Sequence, residues 1–170
     1  MTTASLNRRK LLAAGGSVLA VGVSGVVSGG VSGLIVPAQA QGLAPTQSMS
    51  GGANNYRKGV PIVSRIGKGG FWMTGTVRRA GDGAPLAGQR IHIWAHTVEG
   101  RESDARSHGA TLTDKNGVFR LEMPQIVPIF GQPHGHLAYD SGEFRTVFLR
   151  PIMRSAKDTS LEAHFVLQPA

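Results

Sequence analysis

The sequence predicts an all-β protein, an antiparallel β-sandwich. Three observations carry that reading. Short runs of aromatic and β-branched residues alternate in polarity, as half-buried strands do. Gly-, Pro- and Asn-rich turns separate them. No segment beyond residue 40 sustains the 3.6-residue apolar repeat of an amphipathic helix.

Taken in order, residues 1–40 read as a cleavable export signal. Asn7-Arg8-Arg9-Lys10-Leu11-Leu12 is a basic start with paired arginines of the twin-arginine type. The weakly apolar run behind it is rich in glycine and ends at Ala38-Gln39-Ala40, a small-residue cleavage site. Val18 to Val36 is long enough to act as an uncleaved anchor, but its glycines favour cleavage after Ala40. The expected destination is the periplasm or the extracellular space, with no stable membrane span left after cleavage. Residues 41–59 are rich in Gly, Ser, Asn and Thr with few apolar residues, and read as a flexible leader in which Tyr56 is the only aromatic.

The remaining strands follow at short intervals. Val60 to Ile66 is a short apolar segment broken by Gly67, Gly69 and Gly70. Phe71–Arg78 is strand-like, and Ala80 to Leu86 is a turn with Asp-Gly and Pro. Gln89–His96 places Ile91, Ile93 and Ala95 on one face and His92, Trp94 and His96 on the other. His92 and His96 lie roughly 13 Å apart along such a strand, too far to share an ion, and read as surface or hydrogen-bonded histidines. Thr97 to Gly109 is a polar loop. Thr111–Thr113, Val118–Met123, Glu143–Leu149 and Leu161–Leu167 complete the strands. Asp114-Lys115-Asn116-Gly117 is a tight hairpin turn, and His164 falls on a solvent face.

Composition narrows the function. With no cysteine, disulfides and thiolate-ligated metals are excluded, so an exported chain must rely on packing or a bound ion. Removing Arg8, Arg9 and Lys10 with the signal takes the formal net charge from +8 to +5, and the remaining basic residues are scattered. That is a solvated surface compatible with anionic ligands, and it does not point to nucleic acid. Export of folded chains by the twin-arginine route raises the expectation of a cofactor already loaded.

The clearest chemical motif is Pro133-His134-Gly135-His136, just ahead of an apolar strand-like run. On a strand the two histidines share a face with their Cβ atoms roughly 6–7 Å apart, a spacing that can hold one transition-metal ion. The plain alternative is a pair of surface or hydrogen-bonded histidines in a turn.

Several ordered features together resemble the core of the intradiol ring-cleavage dioxygenases. They are Thr74-Gly75-Thr76-Val77, Gly83-Ala84-Pro85-Leu86-Ala87-Gly88, Ile91-His92-Ile93-Trp94, Gly100-Arg101, Leu112 to Arg120, and Pro133 to His136. The resemblance runs from about Pro61 to Pro151, and parts of it extend to the broader transthyretin-like sandwiches. It implies a dioxygenase-like sandwich domain over 60–170, a non-haem ferric ion held by two tyrosines and two histidines, and a catechol-like aromatic diol as substrate. The histidines map onto His134 and His136. The tyrosines do not map. Glu102 stands where the first follows the Gly-Arg, and Val127-Pro128-Ile129-Phe130-Gly131 stands where the second belongs. Glu102 can supply a carboxylate oxygen instead, giving the two-histidine, one-carboxylate set of ferrous oxygenases, which also suits zinc or copper. His108, in the loop, and Tyr139, an odd number of residues from His136, are further candidates.

These features lead to an exported metal-binding oxygenase-like protein, with iron expected if it is an enzyme. The alternative is a non-catalytic accessory subunit or ligand-binding module of a periplasmic complex, with no metal required. The expected partners are a small aromatic substrate or a periplasmic protein, and oligomer formation is compatible with the sequence.

Overall fold

The computed structural model describes residues 42–170; the predicted export signal, 1–40, lies outside the described residues. Among the described residues seven strands form: β1 (Phe71–Arg79), β2 (Arg90–Ala95), β3 (His108–Leu112), β4 (Val118–Met123), β5 (Gly135–Tyr139), β6 (Val147–Leu149) and β7 (Ser160–Leu167). They make a three-stranded sheet, β4-β1-β7, and a four-stranded sheet, β3-β2-β5-β6. A 3-10 turn at Ala105–Ser107 interrupts the loop before β3. Among the described residues no helix is long and apolar enough to cross a membrane.

The core lies between the sheets and follows from the alternation of each strand. Phe71, Met73 and Val77 of β1, Phe119, Leu121 and Met123 of β4, and Phe165 and Leu167 of β7 are buried on one side. Ile91, Ile93 and Ala95 of β2 and Leu137 and Tyr139 of β5 are buried on the other. Gly75 sits where β1 is flanked by β4 and β7 together. A Cβ at Gly75 would come within 1.6 Å of the Ala163 carbonyl oxygen and 2.6 Å of the Phe119 ring. Gly75→Ala must therefore push β7 away or distort β1, at a cost of about 3 kcal/mol, the upper end of ordinary overpacking. Chemical denaturation should show that loss, and an unchanged midpoint would mean that β7 can yield.

Three details depart from the sequence expectation. The sheets are not wholly antiparallel: β1 pairs with β7 in parallel, from Trp72 opposite Ser160 to Arg79 opposite Leu167. Alternation has the same period in either direction, so it carries no information about strand direction. The chain leaves β6, crosses through residues 150–159 to the other sheet, and enters the free edge of β1 in the direction of β1 itself. Next, β6 is confined to Val147–Leu149, because Arg145 N–H donates to the Gln168 carbonyl and Phe144 bridges Pro169. The first half of the expected strand is thus occupied by the C-terminal residues. Finally, β3 begins at His108, which takes that residue out of the preceding loop and sets it opposite Trp94.

The stretch read as a leader lies along the sandwich. Leu43 exchanges backbone hydrogen bonds with Gly81, Thr46 N–H donates to Val166 at 2.9 Å, and Met49 N–H donates to Phe148 at 2.8 Å. The residues after Met49 turn across the outward face of β2 and β5. That face carries His92, Trp94 and His136, all fully buried, and Trp94 and His136 find partners for their ring N–H groups on the crossing segment.

Candidate metal centre

His136 occupies β5 directly opposite Trp94 of β2, and its side chain points away from the core. His134 lies one residue before the strand, at an isolated bridge with Ile152. Gly135 between them faces the other sheet, where a Cβ would come within 2.8 Å of the Met73 methyl group. This local geometry turns both imidazoles outward.

Glu102 is brought to the pair by the loop between β2 and β3. Thr97 and Gly100 close a tight turn, Asp104 Oδ2 accepts from Arg101 N–H at 2.9 Å, and Ser107 N–H donates to the Asp104 carbonyl. Glu102 Oε2 then lies 3.2 Å from His136 Nε2 and 3.5 Å from His134 Nε2. The three ligand atoms all lie within 4.8 Å of one another, and the residues are buried, with 9%, 3% and 0% exposure for Glu102, His134 and His136.

Tautomers follow from the other ring nitrogens. His136 Nδ1 is 3.1 Å from the Gly52 carbonyl, and His134 Nδ1 is 2.9 Å from the Gln132 carbonyl. A carbonyl can only accept, so each Nδ1 carries a hydrogen and donates it. The Arg150 guanidinium, 3.4 Å from His134 Nδ1, is donor-only and is a neighbour, not a partner, in that tautomer. In the neutral rings both Nε2 lone pairs therefore face the Glu102 carboxylate. Three acceptors converging in a buried place repel one another unless a cation joins them. A proton could serve, but burial pushes the His136 imidazole below its ordinary range, against the favourable pull of the Gly52 carbonyl and Glu102. A metal ion is the other cation that suits this donor set. Nδ1–H donation to a backbone carbonyl is also the usual way in which a metal-binding histidine is oriented.

Around these three residues lies an aromatic stack. The Trp94 indole is parallel to His136 on one side (5.1 Å, 11°) and to His108 on the other (5.6 Å, 6°), and its Nε1–H donates to the Asn54 carbonyl at 2.9 Å. Tyr56 packs on His92, Trp94 and Phe148 and donates its hydroxyl hydrogen to Asp140.

His108 and Tyr139, the further candidates, are not part of the converging set. His108 Nε2 donates to the Glu102 backbone carbonyl at 2.8 Å, and its Nδ1 accepts from His92 Nε2 at 3.1 Å, so both nitrogens are committed. It positions the Glu102 loop instead. Tyr139 faces the core, where its hydroxyl oxygen accepts from Phe144 N–H, as its odd spacing from His136 requires. His164 is on the solvent face, with its Nδ1 2.9 Å from the Thr76 hydroxyl. Phe130, in the segment where the resemblance implies a second tyrosine, is 95% exposed in a left-handed turn (φ 53°) and offers nothing to the centre.

His92 has a measurable consequence. Burial first, and then the neighbouring His108 and Arg90, hold its imidazole down at about 3, against an ordinary 6.5. Between those values the unfolded chain binds a proton that the fold refuses, so stability is full above pH 6.5 and falls with acidification. The slope approaches about 1.4 kcal/mol per pH unit for one such group. In urea unfolding in chelator, His92 should account for roughly 2 kcal/mol of the stability lost between pH 7 and pH 5, and a His92→Gln variant should reduce the loss by that amount, leaving the share of His108 and His136, whose imidazoles burial also holds down. A profile that His92→Gln leaves unchanged would exclude His92 as its source.

Sequence reasoning did not anticipate Gly52, Asn54, Asn55 and Tyr56 as part of this region. A lone Tyr beside Asn-Asn in an otherwise small and polar stretch was the available signal.

The two-sheet sandwich is a fold that known structures share. No family model and no curated protein sequence matches the chain. Solved structures do match. Hydroxyquinol 1,2-dioxygenase from Pseudomonas putida DLL-E4 is 13% identical with a TM-score of 0.56, over 75% of this chain and 68% of that one. 3-Chlorocatechol 1,2-dioxygenase from Rhodococcus opacus 1CP is 17% identical with a TM-score of 0.56, over 76% and 74%. The dioxygenase domain of a dioxygenase carbohydrate-binding protein fusion from Streptomyces sp. SirexAA-E is 14% identical with a TM-score of 0.55, over 74% and 99%. The chain has an intradiol dioxygenase-like fold.

Proposed function

We propose that this chain is an exported metal-binding protein whose centre is formed by His134, His136 and Glu102, and that it acts as an oxygenase on a catechol-like aromatic diol. The observation that carries the metal reading is the buried convergence of Glu102 Oε2 with two Nε2 lone pairs whose rings have already spent their Nδ1 hydrogens on carbonyls. Two imidazoles and one carboxylate suit non-haem iron first, with zinc and copper compatible with the same donors. When bound, iron would supply the Lewis acidity and electron exchange that diol oxidation requires. The chain's own part is to fix the two tautomers, aim one Glu102 oxygen, and keep water away by the cover over β2 and β5. Twin-arginine export is supported by Arg8-Arg9 and the Ala-x-Ala site.

A second reading, a non-catalytic accessory or ligand-binding module, is favoured by a specific observation. The donors are covered, and the cavities of about 270 and 440 Å³, along Arg145–Val147 and along Pro151–Glu162, are lined by none of the three. Metal analysis of protein recovered from its export route, together with oxygen uptake on catechol, separates the readings. One metal ion per chain with catechol-dependent oxygen uptake supports the oxygenase; metal without uptake supports the accessory module. Absence of stoichiometric metal, or metal retained in full by Glu102→Ala, would overturn the proposed centre. The ferric form should lack a strong visible tyrosinate band, since no tyrosine joins the set.

A further inference from the structure

We propose that Asn55 is a positioning residue of this centre, one that makes Glu102 a single-oxygen donor. The inference rests on the metal reading above and goes beyond it, because it assigns a role to the segment covering the sheet. Asn55 Nδ2 lies 2.9 Å from Glu102 Oε1, while Glu102 Oε2 faces the two histidines. A carboxylate has two oxygens and can clasp an ion with both. With Oε1 turned toward the Asn55 amide, Oε2 is the oxygen that faces the two histidines.

Asn55 is built into place at a backbone cost. It and Phe130 are the non-glycine residues with positive φ among the described residues, and Asn55 lies at 59°. Asparagine tolerates that conformation better than other side chains, yet glycine would meet it more easily. A residue that adds a side chain there is explained by what the side chain does. Its neighbours anchor it on both sides: the Asn54 carbonyl accepts from Trp94, and Tyr56 is held by Asp140 and the rings of His92, Trp94 and Phe148. The same segment supplies the Gly52 carbonyl that sets the His136 tautomer. Residues 52–55 thereby orient two of the three donors.

The strained backbone also provides a clean variant. Asn55→Gly removes the amide while relieving the left-handed conformation, two effects of opposite sign, so the metal-free Tm should stay within a few degrees of wild type. Its affinity for Zn²⁺, measured against a chelator on the full chain, should fall about 10- to 100-fold, the usual effect of losing an outer partner of a metal ligand. X-ray absorption of the zinc-loaded variant should show a second carboxylate oxygen drawn toward the ion. Wild-type affinity with an unchanged oxygen shell in Asn55→Gly would overturn the role of Asn55 alone. A metal-free Tm that falls enough to account for the lost affinity would make Asn55 merely structural and overturn it too. A wild-type protein that binds no Zn²⁺ would overturn both this role and the metal centre on which it rests.

Discussion

A His134→Ala/His136→Ala double variant should lose stoichiometric metal and, with it, the whole of the stabilisation that metal confers. Two of three donors disappear, leaving Glu102 Oε2 facing a void with Asn55 on its other oxygen. One carboxylate oxygen does not retain a transition metal at micromolar concentration. An ion present at 100 times its dissociation constant stabilises the native state by about 2.7 kcal/mol. For a domain of this size that is a rise in Tm of roughly 10 °C in the wild type. The double variant should show no rise. Thermal melts with metal and with chelator, for both proteins, make the comparison. If the variant keeps a metal-dependent rise of wild-type size, the ion is bound elsewhere.

Trp94→Ala should be the most damaging single substitution in the region. The indole is fully buried, lies between two imidazoles, and donates a hydrogen bond to the segment covering the sheet. Truncating a buried aromatic of this size costs about 3–5 kcal/mol, from lost transfer energy and from the cavity left behind. The cost is not confined to stability. Without the stack His136 can tilt, and with the Asn54 carbonyl released the covering segment loses an anchor, so metal affinity should fall as well. Trp94→Phe keeps a ring between the imidazoles and gives up the N–H donor, leaving a carbonyl to find water. It should lose about 1–3 kcal/mol and keep most of the metal affinity. Equal metal affinity in Trp94→Ala and wild type would show that the stack contributes packing and nothing to the centre.

Much of the fold was legible because its signal is local. The alternation in Phe71–Arg78 and Val118–Met123 reports which side chains face inward, and the structure places Phe71, Met73, Val77, Phe119 and Leu121 there. The turn at Asp114–Gly117 is equally local, with Asp114 Oδ1 accepting from Asn116 and Val118 N–H. His134 and His136 stand out for the same reason, as does Tyr139 facing away from them. The parallel pairing of β1 with β7 was not legible, since a period of two residues has no direction. Nor was the site of His108, because where a loop ends and a strand begins depends on what lies beside it, here Trp94.

By itself, then, the amino-acid sequence determined the strand faces and that His134 and His136 share one, and through the family resemblance it offered Glu102 as a candidate carboxylate. Only the tertiary structure decided that these groups meet, in what protonation state, and under what cover. Glu102 reaches His136 across 34 residues, Asn55 reaches Glu102 across 47, and Gly52 reaches His136 across 84. Such contacts are selected by the burial of the outer face of β2 and β5, whose ring N–H groups must find partners once water is excluded. A stretch that looks polar and unstructured in isolation becomes the cover of the centre because the sheet beneath it needs one.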